Sequence, residues 1–89
     1  MITQQLRIIN NLGLHARAAS VFVKTASAFV SKINVENEYG DADGKNIMSM
    51  MMLQAACGSE VKVTTDGEDE AEAMKAITQL INDRFGESD

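Results

Sequence analysis

The chain holds one histidine, His15, in the segment Gly13-Leu14-His15-Ala16-Arg17, directly ahead of a stretch with helical periodicity. An imidazole keeps a ring nitrogen free of protons near neutral pH, and that nitrogen is a nucleophile. The start of a helix presents backbone N–H groups without intrahelical partners, at the positive end of the helix dipole. Such a terminus suits an anion. A phosphoryl group carried on His15 would therefore meet the backbone N–H groups of Ala16 and Arg17. It would also meet the Arg17 guanidinium, whose charge and planar fork match phosphate oxygens. Gly13 lets the preceding backbone turn sharply or approach another segment closely. A single histidine is more often structural than reactive. Its place at a helix start, two residues from an arginine, is what assigns His15 and Arg17 to chemistry.

Other chemistries lack their residues. There is no glycine-rich nucleotide loop and no histidine pair at helical spacing for a metal, so neither cofactor nor metal is expected. No Asp or Glu lies near His15 along the chain, which leaves a hydrolytic triad without local support. The single cysteine, Cys57, can form neither an internal disulfide nor a cysteine zinc site. Beside Ala55 and Ala56 it reads as a small buried hydrophobe. The net charge of −5 argues against nucleic acid as a partner. No apolar run approaches the roughly 20 residues that cross a bilayer, so no direct membrane insertion is expected. The opening MITQQLRIIN lacks the basic start and apolar run of a signal peptide. The expected location is the cytoplasm.

The elements that must position His15 follow from periodicity. Residues 2–9 read as a strand whose Ile2, Leu6, Ile8 face is interrupted by Gln4. Asn10 to Gly13 is a turn cluster. From about Ala16 to Val30, Ala19, Phe22, Val23, Ala26, Phe29 and Val30 form one helical stripe. Residues 32–38 alternate, with Ile33 and Val35 on one face. After a turn at Tyr39-Gly40-Asp41, Ala42-Asp43 reads as a short return strand. A second helix runs from about Ile47 to Ala55, with Asn46 as its N-cap. Residues 60–65 alternate again on Val61 and Val63, Asp66-Gly67 turns, and a last helix spans 68–84. Its first turn is acidic, which suits the dipole. Its inward and flanking positions are Ala73, Ile77, Leu80, Ile81 and Arg84, with Phe85 at the end. Residues 1–89 thus read as a single domain, too short for a second core. The architecture is α+β, with four short strands in one antiparallel sheet covered on one face by three helices.

The second helix carries Ile47-Met48-Ser49-Met50-Met51-Met52-Leu53. With Met50 and Leu53 inward, Met48, Met51 and Met52 are left partly outward. Methionine adapts to differently shaped partners, so this face reads as a docking surface. The charge pattern agrees. Residues 1–65 balance at +1 and residues 66–89 at −6, so the first two-thirds can present a basic face.

Taken together, the chain resembles the HPr family, the histidine-containing phosphocarrier proteins of the phosphoenolpyruvate-dependent phosphotransferase system. Gly13-Leu14-His15-Ala16-Arg17 matches the family's active-site segment. Gly44-Lys45 with Ile47-Met48 and Leu53 matches its second helix, and Asp66-Gly67-Glu68-Asp69-Glu70 with the helix after it matches its C-terminal part. The resemblance implies an open-faced β-sandwich of order βαββαβα. It implies that His15 takes a phosphoryl group on Nδ1 from enzyme I and passes it to a histidine of an enzyme IIA domain, with Arg17 balancing the charge. Ile47, Met48 and Met51 would form the docking face, and Lys24 and Lys45 a basic rim. The chain would be a carrier turned over by partner enzymes, not an enzyme itself.

Two positions depart from the family pattern. Ala18 stands where proline is usual, and alanine still favours a helix. Asn46 stands where many members carry a regulatory serine, so no regulatory serine is expected there and Asn46 acts as a cap. Other readings are a nitrogen-related regulatory branch of the same system, or a non-catalytic interaction module that binds regulators through the Met-rich helix. A small hydrolase with a histidine nucleophile ranks below these.

Overall fold

The computed structural model describes residues 1–89. Its strands are β1 (Ile2–Arg7), β2 (Lys32–Asn37), β3 (Gly40–Asp43) and β4 (Glu60–Asp66). Its helices are α1 (Ala16–Ala26), α2 (Ile47–Met51) and α3 (Glu70–Asn82), and a 3₁₀ turn, Arg84–Gly86, follows α3. The strands form one antiparallel sheet in the order β1-β4-β2-β3. Val63 of β4 lies opposite Gln4 on one side and Val35 on the other. That register follows from the alternation. Val61, Val63 and Thr65 of β4 and Ile33 and Val35 of β2 are buried, while Glu60 and Lys62 face outward. A shift of one residue would expose the whole apolar set.

The helices cover one face of this sheet. Ala18, Ala19, Phe22 and Ala26 of α1, Met50 of α2, and Ala73, Met74, Ile77 and Ile81 of α3 are buried in one cluster with the strand residues. The small residues let α1 and α3 approach closely. The other sheet face is polar. There Thr3 and Thr64 share a hydrogen bond of 3.0 Å across β1 and β4, and Lys62 pairs with Glu36 at 3.5 Å. Such exposed pairs contribute little stability.

The element order is as expected, but several boundaries move. The first helix stops at Ala26 and not at Val30. Ala28 and Phe29 close it with bonds that reach back three residues, to Thr25 and Ala26. The N–H groups of Val30 and Ser31 then donate to the Asp69 carboxylate at 3.0 Å each, which pulls the backbone off helical geometry and leaves Val30 74% exposed. The Ser31 hydroxyl donates to the same carboxylate at 2.5 Å. These bonds, the Ser31 hydroxyl first, hold the Asp69 carboxyl below the usual carboxylate range, against the opposing effect of burial. α3 begins at Glu70, because its N-cap Asp69 takes non-helical φ −109° and ψ 30°. The second helix ends at Met51, because Leu53 and Gln54 bond back three residues and Gln54 takes φ +50°. Arg84 lies beyond α3, is exposed, and takes φ +55°. Cys57 is exposed and not buried, because the turn carrying it from α2 to β4 runs over the surface. β1 ends at Arg7, although Ile8 remains in the core.

Candidate functional site

The loop from Asn10 to Leu14 is tied both to itself and to the segment after α2. Gly13 takes φ +66° and packs so closely that a Cβ there would stand 2.5 Å from the Ala55 carbonyl oxygen. The Leu14 N–H donates to that same oxygen at 2.8 Å. Asn10, fully buried, donates its side-chain amide to the Gly13 carbonyl at 2.8 Å. The buried Leu14 side chain completes the anchor. His15 therefore leaves a rigid loop at a set angle.

His15 is the N-cap of α1, with φ −78° and ψ −179°, and its side chain makes no capping bond. Its carbonyl accepts the first helical bond, from the Ala19 N–H at 2.8 Å. The N–H groups of Ala16 and Arg17 precede that bond and are thus the groups that a helix start leaves for an anion. The His15 side chain is 27% exposed. Alanine at 18 does not prevent the helix from starting at Ala16 and is itself buried.

The carboxylate that the sequence does not place near His15 arrives from the far end of the chain. After α3, Phe85 buries its ring and the chain turns back. The Asn11 N–H donates to the main-chain oxygen of Asp89 at 2.6 Å. Between these two ties stands Glu87, 15% exposed. Its Oε1 accepts from the Asn10 amide at 2.9 Å, and its Oε2 bonds to His15 Nε2. The Asn10 bond first, and then His15, hold the Glu87 carboxyl below its ordinary range, against the cost of burial. Sequence reasoning missed Glu87. The available signal was Phe85-Gly86, an apolar anchor and a turn residue directly before it.

Arg17 is exposed. It lines a groove of about 500 Å³ with Asn11, Leu12, Phe85, Gly86 and the tail residues Glu87 to Asp89. Arg17 thus shares this groove with the tail segment that carries Glu87. No three His, Cys, Asp or Glu side chains come together to hold a metal ion.

The α2 face divides as its spacing predicts. Met50 and Leu53 are buried, while Met48 and Met52 are 71% and 73% exposed and Ile47 and Met51 are partly so. Leu12, which the sequence reading did not single out, is a further exposed apolar side chain, on the His15 loop. The Leu14–Ala55 bond ties that loop to the segment after α2. Lys24 is exposed on α1. Lys45 is half-buried, with its ammonium donating to the Phe29 carbonyl at 2.7 Å. Asn46 caps α2, accepting from the Ser49 N–H at 3.0 Å.

The family model described as the PTS HPr component phosphorylation site matches residues 2–83. Phosphocarrier protein HPr of Neisseria meningitidis is 52% identical over all 89 residues, and the alignment covers the whole of both chains. HPr of Cupriavidus necator is 46% identical over the same span, again covering both chains in full. A crystal structure of HPr from Thermoanaerobacter tengcongensis superposes with a TM-score of 0.94 at 44% identity, covering 99% of each chain. The sheet and helix order are those of HPr structures. With its sequence and fold matched over nearly their full length, the chain belongs to the HPr family, the phosphocarrier proteins of the phosphotransferase system.

Proposed function

We propose that this chain accepts a phosphoryl group on Nδ1 of His15 from the phosphohistidine of enzyme I and delivers it to a histidine of an enzyme IIA domain. The observation that carries this reading is the ring itself. His15 stands at an uncapped helix start with Nε2 engaged by Glu87, which leaves Nδ1 as the free nitrogen. In the transfer, the Nδ1 lone pair attacks phosphorus, the donor's P–N bond breaks, and its electron pair returns to the donor ring. The Ala16 and Arg17 N–H groups and the Arg17 guanidinium meet the phosphoryl oxygens. Little covalent machinery is needed, because positioning and charge stabilisation dominate phosphoryl transfer. The chain is a carrier, turned over by its partners.

Docking uses the α2 face. Ile47, Met48 and Met51 offer adaptable apolar contact that suits two different partners at one surface. Lys24 and Lys45 form a basic rim that speeds encounter and sets orientation. Asn46 carries no hydroxyl, so phosphorylation at that position has no acceptor.

Incubation with phosphoenolpyruvate and enzyme I, followed by intact mass before and after mild acid, tests the reading. One acid-labile phosphoryl group, absent from His15→Ala, supports it. No gain, with the enzyme I active on another carrier, overturns it.

A further inference from the structure

Resting on that reading, we infer that Glu87 is a positioning residue for the transfer: it keeps a proton on His15 Nε2 and so keeps the lone pair on Nδ1, before and after the phosphoryl group arrives. An ionised carboxylate only accepts hydrogen bonds, so the ring nitrogen facing it must donate. A neutral imidazole with Nε2–H has its lone pair on Nδ1.

The carboxylate is not free to swing away. Its second oxygen is fixed by the Asn10 amide at 2.9 Å, and that fully buried amide is itself fixed on the Gly13 carbonyl at 2.8 Å. Phe85 anchors the tail on one side of Glu87, and the Asn11–Asp89 bond anchors it on the other. The charged groups that face Glu87 from α1 are His15 and Arg17, and Asp89 of the tail lines the same groove. Arg17 favours the ionised carboxylate.

The step balances without moving this proton. When Nδ1 bonds to phosphorus, the ring becomes a cation that still carries Nε2–H, and the Glu87 carboxylate faces that cation. When the group leaves for the acceptor, the P–N electron pair returns to Nδ1 and a neutral ring remains, protonated at Nε2 as before. A protonated phosphohistidine ring is the better leaving group, so a group that retains this proton serves both directions.

Two variants and two readouts test this. In the unmodified protein, ¹H–¹⁵N spectra of the His15 ring should show the proton on Nε2 in a hydrogen bond. That signal should be lost in Glu87→Ala and weakened in Glu87→Gln, whose single amide oxygen must serve both the Asn10 amide and the Nε2–H that the two carboxylate oxygens accept separately. Acceptance from enzyme I should slow about 10- to 100-fold in Glu87→Ala, the loss of one charge-assisted hydrogen bond, and less in Glu87→Gln. Melting temperatures establish that both variants fold. A wild-type ring protonated on Nδ1, or transfer at the wild-type rate in both folded variants, would overturn the inference. Loss of phosphorylation in the wild type itself would instead overturn the carrier reading. The spectra need no phosphate and separate the two.

Discussion

Replacing Gly13 by alanine is expected to cost about 2–4 kcal/mol. The backbone there takes φ +66°, where a residue with a Cβ loses about 1–2 kcal/mol. The new methyl would stand 2.5 Å from the Ala55 oxygen and 2.9 Å from the Ala56 Cα, both backbone atoms. A comfortable carbon–oxygen contact is about 3.3–3.6 Å, so the two segments must part by about 1 Å. Parting them weakens the 2.8 Å bond from the Leu14 N–H to the same Ala55 oxygen, for about 1–2 kcal/mol more. Gly58 supplies the control. It takes φ +89°, but no atom lies within 4 Å of an added Cβ, so Gly58→Ala should lose only the backbone contribution. In a domain of this size 1 kcal/mol moves the melting point by about 4–8 °C. Gly13→Ala should therefore melt roughly 5–15 °C below Gly58→Ala in scanning calorimetry. It should also accept phosphate more slowly, because the displaced loop carries His15. If the two variants melt together, the close approach at Gly13 is not what fixes the loop.

The remaining predictions concern charge, docking and pH. Arg17→Ala should slow phosphoryl acceptance about 10- to 100-fold, with stability changed by no more than about 0.5 kcal/mol; rapid-quench kinetics and a urea curve read both. Met50→Ala should lose about 2–5 kcal/mol as a core cavity, while Met48→Asp should leave unfolding almost unchanged and weaken binding to enzyme I in calorimetric titration; the opposite ranking would place the docking face wrongly. The Asp69 carboxyl lies below its ordinary range in the folded protein. Its contribution is thus complete above that ordinary range and is lost as pH falls through the lowered value. Asp69→Asn should flatten the acid limb of the stability curve, and a limb identical to wild type would remove Asp69 from it.

What was legible in the sequence was local. Alternation at Val61 and Val63 and at Ile33 and Val35 predicts the central strands, because a sheet with one wet face needs that period. The Asn46 cap and the inward Met50 and Leu53 follow from short-range geometry. The end of α1 was not legible, since the group that unwinds it, Asp69, lies 38–39 residues from the N–H groups it captures. Cys57 is exposed where its alanine neighbours predict burial, because adjacent alanines say nothing of a turn over the surface. The clearest omission is Glu87, 72 residues from His15. Only the burial of Phe85 and the path of the tail bring the two together, and neither has a periodic signature. Half of the candidate site, His15 with Arg17 at a helix start, lies in one short segment and is proposed from it. The carboxylate that faces the other ring nitrogen required the fold.

The most direct test of the account is the nitrogen that carries phosphorus. The chain would be labelled with ¹⁵N at the His15 ring, phosphorylated by enzyme I, and observed for coupling between ³¹P and ¹⁵N. The account predicts coupling to Nδ1, with Nε2 still protonated. Coupling to Nε2, or phosphorus on any other residue, would contradict it.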